Sequence, residues 1–285
     1  MTRQKKKSRF DAYEAITQSI VEKMDDGGLP PWRRTWTATG APRNLVSGKV
    51  YRGINIFLLL LQPFNSPYWL TFKQAKAKGG HVRKGEKGTK IIFWKMLRKE
   101  KDGEEKVFPM LRTYTVFNAE QCEGIETPAV EGACSNDDDP IPACEAIVAG
   151  YPLPRPEMQA GKPSYAPFLD TVRMPRMDEF TGAEEYYSTL FHELAHSTGH
   201  KDRLDRDMMR VAAFGSQDYS KEELVAEFTA SFLCAEAGIS PAVLENQAAY
   251  LKGWRKALKG DPRMVVSAAQ RAQKAAEYIL DNSPE

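Results

Sequence analysis

Histidine is scarce in this chain: 285 residues carry four. Cysteine is equally scarce, and Cys122, Cys134, Cys144 and Cys234 form none of the close pairs that zinc ribbons or thioredoxin-like sites require. Free thiols in a reducing cytoplasm are the expectation. No apolar run reaches the length of a membrane span; the longest, Ile54 to Leu61, is interrupted by Asn55. Behind the basic start Lys5-Lys6-Lys7 there is no apolar signal region, so a cytoplasmic protein away from membranes is expected. Nothing has the spacing of a helix-turn-helix, a zinc finger or a basic zipper, the devices that read base sequence. The carboxylate-rich pair of sites that two-metal phosphoryl chemistry uses is also missing, which weighs against a nuclease.

Rarity makes the histidines informative. Three of them, His192, His196 and His200, fall within nine residues. Read as a helix, His192-Glu193-Leu194-Ala195-His196 projects both imidazoles from one face, a turn apart. Such a pair can hold one tetrahedral zinc, with bonds to nitrogen of about 2.0–2.1 Å. Glu193, rotated roughly 100° from His192, falls beside the metal's open position. There it can take a proton from bound water, whose pKa the metal lowers to about 7. This HExxH spacing is that of a zinc-dependent hydrolase, with one Zn2+ expected and another divalent metal admissible. The plain alternative is an amphipathic helix with incidental histidines, or a metal that serves as a structural clamp.

A third ligand has three candidates. A helix from Ser220 to Ala237 is expected to open on a capping box of Ser220 and Glu223. Its Glu223 and Glu227 lie four apart on one face, which suits a ligand and a carboxylate behind it that accepts a histidine N–H. Glu222 fits an exposed first turn favoured by the helix dipole. The rivals to Glu223 are His200 and Asp202, just past Gly199.

The net charge of +2 conceals a division. Residues 1–117 hold 24 Lys+Arg against 10 Asp+Glu, and the remainder holds 16 against 28. The first part is built to meet a polyanion. A helix from Phe10 stops at Gly27-Gly28, and Leu29-Pro30-Pro31-Trp32-Arg33-Arg34-Thr35-Trp36 follows as a proline-fixed loop. Indoles interleaved with guanidinium groups suit single strands, because bases stack on rings while cations follow phosphates; core packing is the other reading. Arg43, Tyr51, Arg52 and Asn55 continue this pattern around a short apolar helix to Leu61, and Lys73 opens a second helix ended by Gly79-Gly80. The glycine-punctuated loop from His81 to Lys90 carries Arg83, Lys84, Lys87 and Lys90, its glycines permitting close approach to a ligand. His81 is read as a surface residue. Strands Ile91–Trp94 and Val107–Phe117 are joined through Asp102-Gly103, a hairpin tip. Without base-reading devices, the expected partner is single-stranded DNA with weak sequence preference.

The stretch 125–140, with Asp137-Asp138-Asp139, cannot bury enough surface to fold alone and is read as an acidic flexible linker. It separates a basic α+β domain (1–124) from a mainly helical domain (141–285), each with its own core, in an α+β fold class. In the second part a short helix over 141–150 precedes one or two edge strands within Ser164–Pro175. Thr181 and Glu184 make a capping box for the histidine helix. Two closing helices, Pro241–Leu258 and Pro262–Leu280, are read as structural cover.

With these segments in view the chain resembles a known kind. HELAHSTGH followed by YSKEELVAEFTASFLCAEAGI resembles the zincin-like metallopeptidase domain of polyvalent proteins of plasmids and phages. PWRRTW, NLVSGKVYRGIN, WLTFKQAKAKGGHVRKGEKG and VFNAEQCEGI resemble the N-terminal domain of ArdC-type antirestriction proteins. The resemblance implies a single-stranded DNA-binding domain, a metallopeptidase-like domain and protection of a plasmid against host restriction. It also implies His192 and His196 as ligands, Glu193 as the catalytic carboxylate, and Glu223 at the glutamate position of the EExxAE segment. Asp202 stands where a related zincin branch carries histidine. The protein substrate is not specified by any of this.

Overall fold

A computed structural model of the chain describes residues 12–25, 30, 32, 40–101, 104–128, 141–151, 156–206, 217–241 and 247–281. Arg33, Arg34, Trp36, the hairpin tip and residues 129–140 of the expected linker lie outside the described residues. The fold class is α+β, as expected.

In the first part, α1 (Ala12–Asp25) is followed by β1 (Arg43–Asn44), α2 (Ile54–Leu60), β2 (Tyr68–Leu70) and α3 (Phe72–Ala77). The start of α3 is fixed by Thr71, whose hydroxyl accepts from the Gln74 N–H while the Gln74 side chain accepts from the Thr71 N–H. After β3 (His81–Val82) comes the long ribbon of β4 (Thr89–Lys101) and β5 (Glu104–Asn118), antiparallel from Thr89↔Val116 to Lys101↔Glu104. Both strands outrun the expected segments, because a backbone ladder continues through the charged residues that interrupt the apolar pattern. The sheet order is β1-β2-β5-β4, and β3 pairs with β6 (Cys122–Glu123) beside it.

Gly85 needs its positive φ of 92°, but Gly88 is small for another reason. A Cβ there would collide with Thr115 and Phe117, so this glycine serves internal packing rather than a ligand's approach.

The second part holds α4 (Pro142–Gly150) and a three-stranded sheet of β7 (Pro156–Met158), β8 (Ser164–Ala166) and β9 (Thr171–Met174), in the order β7-β9-β8. Then follow α5 (Ala183–Ser197), α6 (Gln217–Ala237), α7 (Gln247–Gly260) and α8 (Met264–Asp281). Two expected capping boxes do not form. Gly182 caps α5 without a side-chain bond, and Glu185, not Glu184, turns back to accept the Thr181 N–H at 2.8 Å. Glu184 is drawn instead to the Ser240 N–H at 3.3 Å. Helix α6 starts at Gln217, so Ser220 lies inside its first turn rather than capping it.

The expectation of two cores is corrected by the packing. The buried apolar residues form one cluster that includes both parts. Phe57 of α2 meets Phe228 of α6 at 4.4 Å between ring centroids and stacks on Phe232 at 5.2 Å. Trp32 seals the junction against Phe228 at 4.8 Å. Helix α6 is buried on all sides from Leu224 to Cys234, and α8 is no outer cover. Its Ala268, Ala269, Ala272, Ala275 and Ala276 are all buried, small side chains that allow close approach to α6.

Candidate metal centre and nucleic-acid face

Helix α5 presents His192 and His196 one turn apart, and α6 crosses them with Glu223. The two Nε2 atoms stand 3.1 Å apart. The Glu223 Oε2 lies 3.5 Å from His192 Nε2, and its Oε1 lies 3.5 Å from His196 Nε2. Tetrahedral bonds of about 2.0–2.1 Å put neighbouring donors roughly 3.3 Å apart, so three donors already sit at the separations a shared cation requires. Among the described residues these three side chains are the group able to hold a metal. Two nitrogens and a carboxylate oxygen are a donor set for a divalent ion.

The electrostatics fit the same occupant. Burial pulls the His192 imidazole down, but Glu223, Glu193 and Glu227 outweigh it and push its pKa up to about 9. Burial works against ionisation of Glu223 too, yet His192, His196 and the Tyr219 hydroxyl hold its pKa at about 2. The site is thus a negatively charged recess that keeps a proton on its histidine when no stronger cation competes.

Glu193 is buried on α5 beside His192, and its charge is felt by both His192 and Tyr219. Glu227 is buried one turn beyond Glu223 and also raises the His192 pKa. The carboxylate beside His196 is a different one. Glu222, read from the sequence as an exposed first-turn residue, is 4 % exposed. Its Oε1 lies 3.5 Å from His196 Nδ1, which has no hydrogen bond of good geometry. Arg206 clamps Glu222 with two bonds, Nε to Oε2 at 3.1 Å and Nη2 to Oε1 at 2.7 Å. The same guanidinium donates to the Ala195 carbonyl and the Thr198 hydroxyl, tying the turn after α5 to α6. Burial would raise the Glu222 pKa, but His196 and Arg206 together lower it. Sequence reasoning missed this pair because Arg206 sits in a loop with no period.

The rival ligands face elsewhere. His200 Nδ1 accepts the Asp202 N–H at 3.3 Å, and the Asp202 side chain is largely exposed. Nearby, Arg203 pairs with Asp170, which also accepts from the Tyr165 hydroxyl, so this second arginine fixes the β8–β9 turn onto α5's end.

The residues expected to touch DNA divide. Trp32 is 0 % exposed and belongs to the core, so it offers no ring to a base. Asn55 is buried with both ends of its amide spent on the Ile92 backbone, and Tyr51 is buried with its hydroxyl 3.4 Å from Asn44. Arg43 is half-buried and donates to the Ala41 carbonyl. Arg52 is exposed but paired with Glu277 of α8. Lys73, Lys84, Lys87 and Lys90 are exposed, with Lys90 donating to Thr115 at 2.6 Å. Arg83 pairs with Glu86 at 2.7 Å. His81 is exposed beside Glu123, as a surface residue. No described helix is long and apolar enough to cross a membrane.

Comparison with known proteins accounts for both parts of the chain. Residues 153–271 match the zincin-like metallopeptidase family, and residues 10–117 match the N-terminal domain of anti-restriction factor ArdC. Two DNA primases TraC of Escherichia coli are 35% and 32% identical over 94% of this chain. The chain spans only 27% and 20% of their length. A protein of Sinorhizobium fredii, y4eC, is 33% identical, with 94% of this chain covering 91% of it. Among solved structures, the metal-free antirestriction ArdC protein from the R388 plasmid superposes with a TM-score of 0.82 at 38% identity, over 96% of this chain and 98% of that one. Its Mn(II)-bound form gives 0.80 at 36% identity, over 97% and 99%.

Proposed function

The chain belongs to the family of ArdC-type antirestriction proteins, and we propose that it protects a mobile element by joining single-stranded DNA binding to a metallopeptidase site of HExxH type. In this reading residues 1–124 bind DNA, 125–140 connect, and 141–285 carry the peptidase chemistry in the cytoplasm. The observation that carries the peptidase reading is the convergence of His192, His196 and Glu223 with Glu193 buried beside them.

His192, His196 and Glu223 would hold the ion, for which zinc is the proposed natural occupant. A divalent ion bound there supplies a Lewis acid and brings the pKa of water down to about 7. Glu193 accepts the proton of the attacking water and delivers it to the leaving amine. Glu222, fixed by Arg206, places its carboxylate 3.5 Å from His196 Nδ1, the side from which a carboxylate would orient a ligating imidazole. The Tyr219 hydroxyl holds the Glu223 carboxylate in place. DNA binding is supported by the excess of cations in residues 1–117.

The test pairs the two activities. Wild type and Glu193→Gln are compared for metal content, cleavage of DNA-bound proteins, and protection of incoming plasmid DNA from restriction. Full metal content with loss of both cleavage and protection is the expected outcome for Glu193→Gln. Full protection by that variant would leave DNA coating as the function and the metal as a clamp.

A further inference from the structure

The β4–β5 ribbon has two faces, set by strand alternation. From the register, Ile91 and Phe93 share one face with Arg112, Tyr114 and Val116, while Lys90 shares the other with Thr115. The first face forms one side of a groove of ≈ 840 Å³. Its other side is built by the segment from Asn44 to Asn55 and, from the second part of the chain, by Val266 and Gln270 of α8. Gly53 makes the corner, with φ 56° and its N–H donated to Gln273 of α8 at 2.9 Å.

Ile91 and Val116 are buried at the base of this groove, but Phe93 and Tyr114 stand 46% and 44% exposed. Their rings meet edge to face at 5.5 Å between centroids, and both remain accessible to solvent. Val50, also exposed, extends the apolar rim. Around these rings lie the cations Lys49, Arg52 and Arg112, and among the described lining residues there is no Asp or Glu. Arg52 is held toward α8 by Glu277. Accessible aromatic rings among cations match a strand whose bases are unstacked and whose backbone is anionic, since every base has a π-face for a ring. A duplex keeps its bases stacked on one another and offers none.

We infer that single-stranded DNA seats in this groove, its bases stacking on Phe93 and Tyr114 and its phosphates meeting Lys49, Arg52 and Arg112, with α8 as the far wall. The inference rests on the single-strand reading above and gives it a place. It moves the contact away from the loop of Lys84 and Lys87. It also makes the site dependent on both parts of the chain.

The experiment uses the full chain and fluorescence anisotropy with a labelled oligothymidylate at fixed salt, because salt alone changes such affinities by orders of magnitude. Phe93→Ala and Tyr114→Ala should each weaken binding by about fivefold to a hundredfold, as loss of one stacked base does. Phe93→Tyr and Tyr114→Phe should bind as wild type, and a Lys84→Ala, Lys87→Ala pair should lose less than either ring. Photocrosslinks from 4-thiothymidine on the unmutated protein should map to β4, β5 and α8. The inference is overturned by ring variants that bind within twofold of wild type, by crosslinks confined to other segments, or by equal affinity for duplex. Tighter binding of the matching RNA overturns the assignment to DNA. A wild type that binds no single strand overturns it together with the reading it rests on.

Discussion

Phe228→Ala tests whether the two parts of the chain stand or fall together. The ring is fully buried and touches Trp32 and Phe57 of the first part, at 4.8 and 4.4 Å between centroids. Truncating a buried phenylalanine costs about 3–5 kcal/mol, the transfer term plus the cavity. Against an ordinary stability of about 5–15 kcal/mol that is a large share. With about 2.1 cal/mol/K of unfolding entropy per residue, 285 residues convert it to a melting shift on the order of 5–8 °C. The assay is thermal melting with peptide-resolved hydrogen exchange on metal-free protein. Helix α2 and the β4–β5 ribbon should lose protection in step with α5 and α6, although the substitution lies on α6. Phe168→Ala, at an 82% exposed position, should move the midpoint by less than about 1 °C. If α2 and β4–β5 kept the wild-type midpoint while α5 and α6 melted early, the shared core would be no energetic unit and the reasoning would fail.

Other outcomes follow from the centre itself. His192→Ala should lose bound metal on elemental analysis, and full occupancy in that variant would remove His192 from the ligand set. Metal-free stability should change in two pH windows. His192, raised from 6.5 to about 9, contributes fully below pH 6.5, and its contribution is lost as pH rises through 9. Glu223, lowered from 4.5 to about 2, contributes above pH 4.5, and its contribution is lost as pH falls through 2; denaturant midpoints across the range check both. Metal affinity should rise about tenfold per pH unit below 9, because the ion must displace the His192 proton, and a flat titration would contradict the assignment. Arg206→Ala strands the buried Glu222 carboxylate and should cost about 3–5 kcal/mol, whereas Glu222→Gln with Arg206 in place should cost less; chemical denaturation separates the two.

The histidine helix was legible because a period of 3.6 converts spacing directly into a face, and the rarity of histidine made coincidence implausible. The same period set Glu223 and Glu227 on one face, but it left His200 and Asp202 as rivals, since spacing along one helix does not show which element crosses it. Glu222 was misread because the first turn of α6 begins at Gln217, outside any visible capping signal, and because its partner Arg206 is sixteen residues back in a loop. Trp32 was offered to DNA because a sequence shows neighbours along the chain, and the rings that enclose it, Phe57 and Phe228, are far away. Asn55 failed likewise: an amide that ties α2 to the Ile92 backbone looks identical to one free to meet a ligand. Phe93 and Tyr114 were passed over as ordinary strand residues. Only the register, which sets them side by side with Arg112 on an open face, distinguishes them from packing.

Helix α6 carries Glu222 and Glu223 near its start and, within about three turns, the rings that clasp α2 and Trp32. The zincin-like part therefore cannot be cut out and fused to another domain as a cassette, since the graft would arrive with Phe228 and Phe232 stripped of their cover. Nor could the first part be lent elsewhere without Gln273 and the alanine face of α8. Within the far longer primases the match extends over 94% of this chain rather than over one part of it. In those primases, as here, the two parts that share the core are matched together.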